Sequence, residues 1–256
     1  MTRNDTNNDN KEWWKAYFND EWQYILRQVR SQQSTHDEAT LIEAILQENN
    51  YQTVLDVPSG EGRIALQLAQ LGYQVHGIEY NSNAVKYSQQ QAAQQSLTNV
   101  TFEQGDMRTM QFSRQFDMVI CMFNSFGYFN DNDNEQFIQS AATALKQGGT
   151  FIIDAHTLES LLPIFTPKEF WQYEDYTIFE NRNFDYTTSR LKGHWTVIKN
   201  GEMARHYHSN VRIYGYKELT TLLQKYGFTQ FEAFGNYYGE PFELGDDGMI
   251  LLARKQ

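Results

Sequence analysis

Two glycines and two carboxylates stand at a spacing that suits nucleotide chemistry. In VLDVPSGEGRIALQLAQLGYQVHGIEYN, Gly60 and Gly62 fall between an apolar run at Thr53–Val57 and an amphipathic run from Arg63 to Leu71. In a strand-to-helix turn, missing side chains let a ligand approach the backbone. Glu79 closes the next apolar run, 23 residues beyond Asp56. A carboxylate there in a βαβ unit can accept hydrogen bonds from both hydroxyls of a ribose. The unit therefore predicts a ribose-bearing cofactor in the crevice at the strand ends, with Tyr80 beside it. Gly60-x-Gly62-x-x-Ala65 also fits a dinucleotide fingerprint, so the loop alone leaves a dehydrogenase open.

Three further features bear on the choice. Asp56 stands four residues before the first glycine, and a carboxylate there suits a cofactor with an ammonium group better than an anionic pyrophosphate. Gly105-Asp106-Met107 follows the third apolar run; the Asp can accept from an adenine amino group while the Met packs on the ring. The chain closes with a helix and two strands, the last able to insert antiparallel beside a parallel set.

The elements that hold these groups alternate. Thr53–Val57, Gln74–Glu79, Val100–Gln104, Phe116–Cys121 and Thr150–Asp154 read as strands. Helices between them run from about Arg63 to Leu71, from an Asn81 cap to about Gln95, and from about Asn132 to Lys146, ending at Gly148-Gly149. Such alternation predicts an α/β fold, a Rossmann-like doubly wound sheet. Before it, apolar residues from Lys11 to about Val29 recur at helical spacing, and Thr35 with Glu38 predicts a capping box for a second helix. After the fifth strand, Phe170–Val211 alternates as an antiparallel insertion with a turn at Asn200-Gly201. A helix near Tyr216–Tyr226 and strands near Phe231 and at Met249–Arg254 follow. The expected division is a helical cap at 1–50, a core at 51–157 and 214–256, and an antiparallel insertion at 158–213.

Composition narrows the partners. The 256 residues carry a net charge of −11 and a pI near 5.0, which repels a phosphate backbone and argues against nucleic acid. Mean hydropathy is −0.66 and no run reaches the length of a membrane span. The polar start, with residues 1–10 expected unstructured, has no signal-peptide pattern. Cys121 is the single cysteine, so neither an internal disulfide nor a cysteine zinc cluster can form. A cytoplasmic protein is expected, with room for a homodimer. Aromatics make up 15% of the chain and suit a pocket with apolar and polar walls.

Together the loop, Glu79, Asp106-Met107 and the closing strands resemble the class I S-adenosylmethionine-dependent methyltransferases, over Tyr51–Thr157 and, less closely, Tyr214–Arg254. The resemblance implies a seven-stranded sheet with an antiparallel last strand. It puts Gly60 and Gly62 under the methionine part of S-adenosylmethionine, Asp56 at that loop or at the amino group, Glu79 on the ribose, and Asp106 and Met107 on the adenine. Pro58-Ser59 departs from the small residues or Cys usual before the first glycine.

Met122-Phe123-Asn124-Ser125-Phe126-Gly127-Tyr128-Phe129, at the end of the fourth strand, lies where the methyl group should emerge. The string resembles a small-molecule subfamily with glycine-type and amino-sugar N-methyltransferases, whose antiparallel insertion is a lid. That implies acceptor contacts from Asn124, Ser125, Tyr128, Arg182, Trp195 and Arg212, and closure of the cofactor cleft by Tyr17, Trp22 and Phe123. Arg212 would fix a carboxylate or pin the lid. His156, just past strand five, is a candidate base, with Tyr128 and Arg212 as further catalytic candidates. His206 and His208 share a strand face, with no third ligand near in sequence, so no metal is expected. The expected reaction is methyl transfer to a small polar acceptor, at nitrogen before oxygen. Rivals are a binding protein without catalysis and a tRNA or protein methyltransferase.

Overall fold

The computed structural model describes residues 12–202 and 204–256. The expected unstructured start at 1–10, and the first residue of the expected first helix, lie outside the described residues. Among them, no helix is long and apolar enough to cross a membrane, and no group of three or more His, Cys, Asp or Glu side chains could hold a metal ion.

The expected N-terminal helix is two. α1 (Trp13–Tyr17) ends at Phe18, and α2 (Asp20–Val29) restarts under an Asn19 cap whose side chain accepts from the Trp22 N–H. The next helix, α3 (Gln32–Glu48), is capped by Ser31 rather than by the expected Thr35–Glu38 box. Glu38 is fully buried and taken by two arginines: Arg63 at 2.6 Å and Arg30 at 3.2 Å. A buried carboxylate seeks charged partners before a backbone N–H.

The core alternates as read: β1 (Thr53–Asp56), α4 (Arg63–Gln70), β2 (Gln74–Glu79), α5 (Ser82–Gln94), β3 (Val100–Gln104), β4 (Phe116–Cys121), α6 (Asp131–Ala144) and β5 (Leu145–Ala155). After the single turn α7 (Leu158–Leu161) come β6 (Lys168–Tyr173), β7 (Tyr176–Asp185), β8 (Arg190–Lys199) and β9 (Arg205–Arg212), then α8 (Tyr216–Gln224), β10 (Phe228–Phe234) and β11 (Met249–Lys255). The seven-stranded sheet runs β10-β11-β5-β4-β1-β2-β3, with β11 antiparallel to both neighbours. Strand order reverses between β1 and β4, and Asp56, Glu79 and the residues after Cys121 and Ala155 all meet at the carboxyl ends beside that point.

One expected boundary moves. α6 stops at Ala144, and Leu145 already pairs with Phe116, so Lys146–Gly149 bulge out before Thr150 pairs with Met118. Gly149 passes so close to the Asp117 carbonyl that a Cβ would sit 2.8 Å from it.

Alternation along the strands builds two cores. Leu55, Val119, Phe151 and Leu251 face one side with α6 and α8, while Val54, Met118, Ile152 and Ile250 face α3 and α4 on the other. Cys121 is buried, and burial raises its thiol well above the ordinary value, as befits a core residue. The four strands β6-β7-β8-β9 form a separate antiparallel meander. Its inner face meets the N-terminal helices where Tyr17 and Trp22 pack on Trp195 and Tyr207.

Candidate active site

A cavity of about 970 Å³ lies between the strand ends, the N-terminal helices and the inner face of the meander. This is the upper end of the range for small-molecule sites. Its floor is the loop after β1. Gly60 has φ +54° and open space where a Cβ would be. Its N–H donates to Glu79 Oε2 at 3.0 Å, and the Asn81 N–H donates to Oε1 at 2.8 Å. Those bonds fix a buried carboxylate whose oxygens keep further lone pairs on the cavity side. Gly62 does something else. At φ +78° it caps α4, and a Cβ there would lie 2.7 Å from the Phe102 ring. It is a packing glycine outside the cavity lining, not the second ligand-facing glycine the sequence suggested.

Asp56 lines the same floor and is 3% exposed. Burial lifts its carboxyl to about 7, against the pull of Arg63 and the Ala65 N–H. Such a group is short of positive charge. The lining also holds Arg30, a residue the sequence did not single out. Arg30 gives Nη1 to Glu38, while its Nε and Nη2 are buried without partners. Burial, with Arg63 nearby, lowers it to about 10, still charged at neutral pH. The Ser59 hydroxyl is also buried and unpartnered. A buried carboxylate with no ion-pair contact, and a guanidinium on the Phe123 ring with two N–H groups still to be satisfied, complement an α-amino-acid zwitterion. These residues thus fit the methionine end of S-adenosylmethionine.

The adenine end departs from expectation. Met107 is buried and Tyr80 half-exposed, and both line the cavity. Asp106, however, caps the turn Met107–Thr109 and meets Arg108 with both oxygens, Nη2 to Oδ2 at 2.6 Å and Nε to Oδ1 at 3.0 Å. Burial lifts Asp106, but Arg108 outweighs it and holds the carboxyl below its ordinary value. Asp106 therefore stays ionised, with fewer free lone pairs than the sequence implied. Arg108 goes on to Asp133 at 2.8 Å.

The segment after β4 is bent hard into the cavity. Phe123 and Asn124 both adopt left-handed conformations, φ 57° and 55°, a strained pair for side-chain-bearing residues. Asp154 holds them: its Oδ2 accepts from the Phe123 N–H at 2.8 Å and from the Tyr237 hydroxyl at 2.7 Å, and its backbone oxygen accepts from Asn124 at 2.9 Å. Asn124 Oδ1 accepts from the His156 N–H at 2.6 Å, joining the two strand ends. Asn124, Ser125, Tyr128 and His156 all line the cavity. His156 Nδ1 is buried without a partner, and burial lowers the imidazole pKa, keeping it a neutral base. Burial raises the Tyr128 phenol, so it is a donor and not a base at neutral pH.

Tyr17, Trp22 and Trp195 form the aromatic end, with ring centroids 4.4 to 5.8 Å apart. Arg182 lines it too, paired with Glu169 and Thr166. The cavity also holds Glu180, a second residue the sequence did not single out, which is 4% exposed. Arg212 is a correction. It lies outside the lining, bound to Glu218, Asp131 and the Ile213 carbonyl, and stacked on Tyr214 at 4.2 Å. Of the two roles weighed for it, geometry gives pinning of the meander, and neither acceptor contact nor catalysis. His206 and His208 do share the outer face, and His194 joins them, its Nδ1 2.8 Å from that of His208.

Residues 48–208 match the family described as "Methyltransferase domain". The chain is 31% identical over 131 residues to the Bacillus subtilis protein YqeM, covering 50% of this chain and 51% of that one. It is 25% identical over 167 residues to the dTDP-3-amino-3,4,6-trideoxy-alpha-D-glucopyranose N,N-dimethyltransferase of Streptomyces venezuelae, covering 60% and 65%. The chain spans about half the length of the first curated relatives it matches. Among solved structures, an S-adenosylmethionine-dependent methyltransferase from Clostridium acetobutylicum superposes with a TM-score of 0.77 at 15% identity, covering 94% and 99%. That likeness speaks for the fold. With the family matched over more than half of its length and the seven-stranded order in place, the chain belongs to the class I S-adenosylmethionine-dependent methyltransferases.

Proposed function

We propose that this protein transfers a methyl group from S-adenosylmethionine to the nitrogen of a small polar amine, an amino acid or an amino sugar, in the cytoplasm. The observation that carries this is one continuous cavity with a zwitterion-complementing end at Asp56 and Arg30 and an aromatic end at Tyr17, Trp22 and Trp195. In this reading 1–50 is a cap, 51–157 with 214–256 the cofactor-binding core, and 158–213 the lid. The name of the Streptomyces venezuelae relative, an amino-sugar N,N-dimethyltransferase, supports a nitrogen acceptor.

Bound S-adenosylmethionine supplies a sulfonium-activated methyl group. The residues need only hold the acceptor in line and manage one proton. Asp56 and Arg30 bind the amino-acid end, Glu79 the ribose, and Met107 with Asp106 and Tyr80 the adenine. Phe123, Tyr17 and Trp22 exclude water from the centre. Asn124, its Oδ1 already spent on His156, presents its amide N–H groups to the acceptor with Ser125, Tyr128, Trp195 and Arg182. His156 Nδ1 accepts the proton that the attacking amine must lose.

The test is S-adenosylhomocysteine release over primary amines, amino acids and amino sugars, each beside its hydroxyl counterpart. Turnover of amines supports the reading. Tight S-adenosylmethionine binding with no release across the panel would overturn it in favour of a binding protein.

A further inference from the structure

The inner face of the lid carries Trp171, Tyr173, Ile178, Trp195 and Val211, and Glu180 stands among them with Glu169 across β6 and Trp195 across β8. It is 4% exposed and its carboxylate accepts no hydrogen bond from any described residue. Arg182 Nε lies 3.7 Å from Oε2, beyond hydrogen-bond reach, and that guanidinium is spent on Glu169 and Thr166. A buried acid with no hydrogen-bond donor in reach costs stability, a cost that a donor brought into the cavity would relieve.

Register shows where that donor would sit. Glu180 pairs across the strands with Trp195, and Gly193 stands between Arg182 and Ser209. A Cβ at Gly193 would meet Ser209 Oγ, come within 2.8 Å of Glu180 Oε1 and lie 2.7 Å from Trp195 Nε1. The bare glycine lets the Ser209 hydroxyl, the Trp195 indole N–H and the Glu180 carboxyl pack together over the strand, and all three side chains line the cavity. Trp195 Nε1 already donates to Ser209 Oγ at 3.1 Å, which leaves the Glu180 carboxyl and a Ser209 lone pair as acceptors in the cavity lining. Rings surround them: Trp171 stacks on Trp195 at 5.6 Å, and Tyr17 and Trp22 close the other side. Acceptors, one formal negative charge and π faces together select a cation with several N–H donors. A neutral hydroxyl brings no charge to stabilise the ionised form of Glu180.

Resting on the methyltransferase reading, we infer that Glu180 is the acceptor-selecting residue, binding the ammonium form of an amine in the cavity beside Ser209 and Trp195. Burial lifts Glu180 to about 8 with nothing opposing it. A cation brought beside it restores the charged form.

The test uses cyclohexylamine, protonated at neutral pH, and cyclohexanol as its neutral counterpart. Both are titrated into the full-length protein saturated with S-adenosylhomocysteine and followed by tryptophan fluorescence, since Trp22, Trp171 and Trp195 line the cavity. The wild type should bind the amine at least about tenfold more tightly than the alcohol. Glu180→Gln should abolish that preference while leaving S-adenosylmethionine affinity within about twofold, and Glu180→Asp should retain part of it. Equal affinity for both probes, no response to either, or a preference that survives Glu180→Gln would overturn the assignment. If the wild type binds no S-adenosylmethionine, the underlying reading falls and this one with it. If it binds the cofactor but treats both probes alike, this one falls alone.

Discussion

Asp56 should couple cofactor binding to proton release. Its carboxyl sits at about 7 in the free protein, lifted from 3.8 by burial, while the ammonium of S-adenosylmethionine requires the ionised form. The sign follows: below that value the carboxyl is protonated and binding must expel the proton, so affinity rises with pH through 7. The ionised fraction is about 9% at pH 6 and about 76% at pH 7.5, an eightfold change worth roughly 1.2 kcal/mol. Staying below about pH 7.5 keeps the ligand's own α-amino group largely charged. Calorimetric titrations in two buffers of different ionisation enthalpy read the coupling directly. Release should approach about one proton at pH 6 and fall to near zero by pH 7.5, where the ligand's α-amino group takes up about as much as Asp56 gives. Asp56→Asn should remove the pH dependence and weaken binding by about 1.5–3 kcal/mol. It should also stabilise the free protein at neutral pH, because a carboxyl raised by burial loses folding stability as pH climbs from 3.8 through about 7. A flat affinity profile with no buffer dependence in the wild type, or the same proton release in Asp56→Asn, would refute the reasoning.

Three further outcomes are expected. Glu79→Ala should weaken S-adenosylmethionine binding by about 1–3 kcal/mol, because a charged acceptor is lost; unchanged affinity by calorimetry would remove Glu79 from the site. Gly62→Ala, with φ +78° and a Cβ 2.7 Å from Phe102, should lower stability in urea by about 1–3 kcal/mol. Gly60→Ala meets no atoms and should cost only about 1 kcal/mol, so equal losses would contradict the assigned roles. Arg212→Ala should destabilise the fold by about 1–3 kcal/mol, with exposed Asp131 and Glu218 limiting the cost. It should spare cofactor affinity, and a loss of that affinity would return Arg212 to the site.

What the sequence revealed was what local pattern encodes. Gly60 and Glu79 stand in one strand-turn-helix-strand unit, and their spacing carries their relation even before they meet. Asn81 was legible as a cap for the same reason. The groups that escaped notice are defined by distant partners. Arg30 looks like an ordinary helix-end arginine until Glu38 takes one nitrogen and leaves two buried without partners. Glu180 reads as one polar residue in an alternating strand, and only the packing of the meander over the strand ends buries it. Asp154 and Tyr237, which hold the strained Phe123-Asn124 turn, meet across 83 positions of sequence. The misread Thr35–Glu38 box has the same origin, since the tertiary demand of Arg30 and Arg63 outweighed a local capping pattern. Arg212 was read with two roles, and spacing does not decide between them because it does not show that Asp131 and Glu218 lie within its reach.

The most direct measurement of methyl transfer to a small amine uses S-adenosylmethionine carrying a labelled methyl group. The protein is incubated in turn with a small-molecule pool of amines, amino acids and amino sugars, with total RNA, and with a protein mixture. Label is expected in the small-molecule pool alone, on nitrogen, matched mole for mole by S-adenosylhomocysteine. Label in RNA or protein, or cofactor binding with no label moved anywhere, would contradict methyl transfer to a small amine.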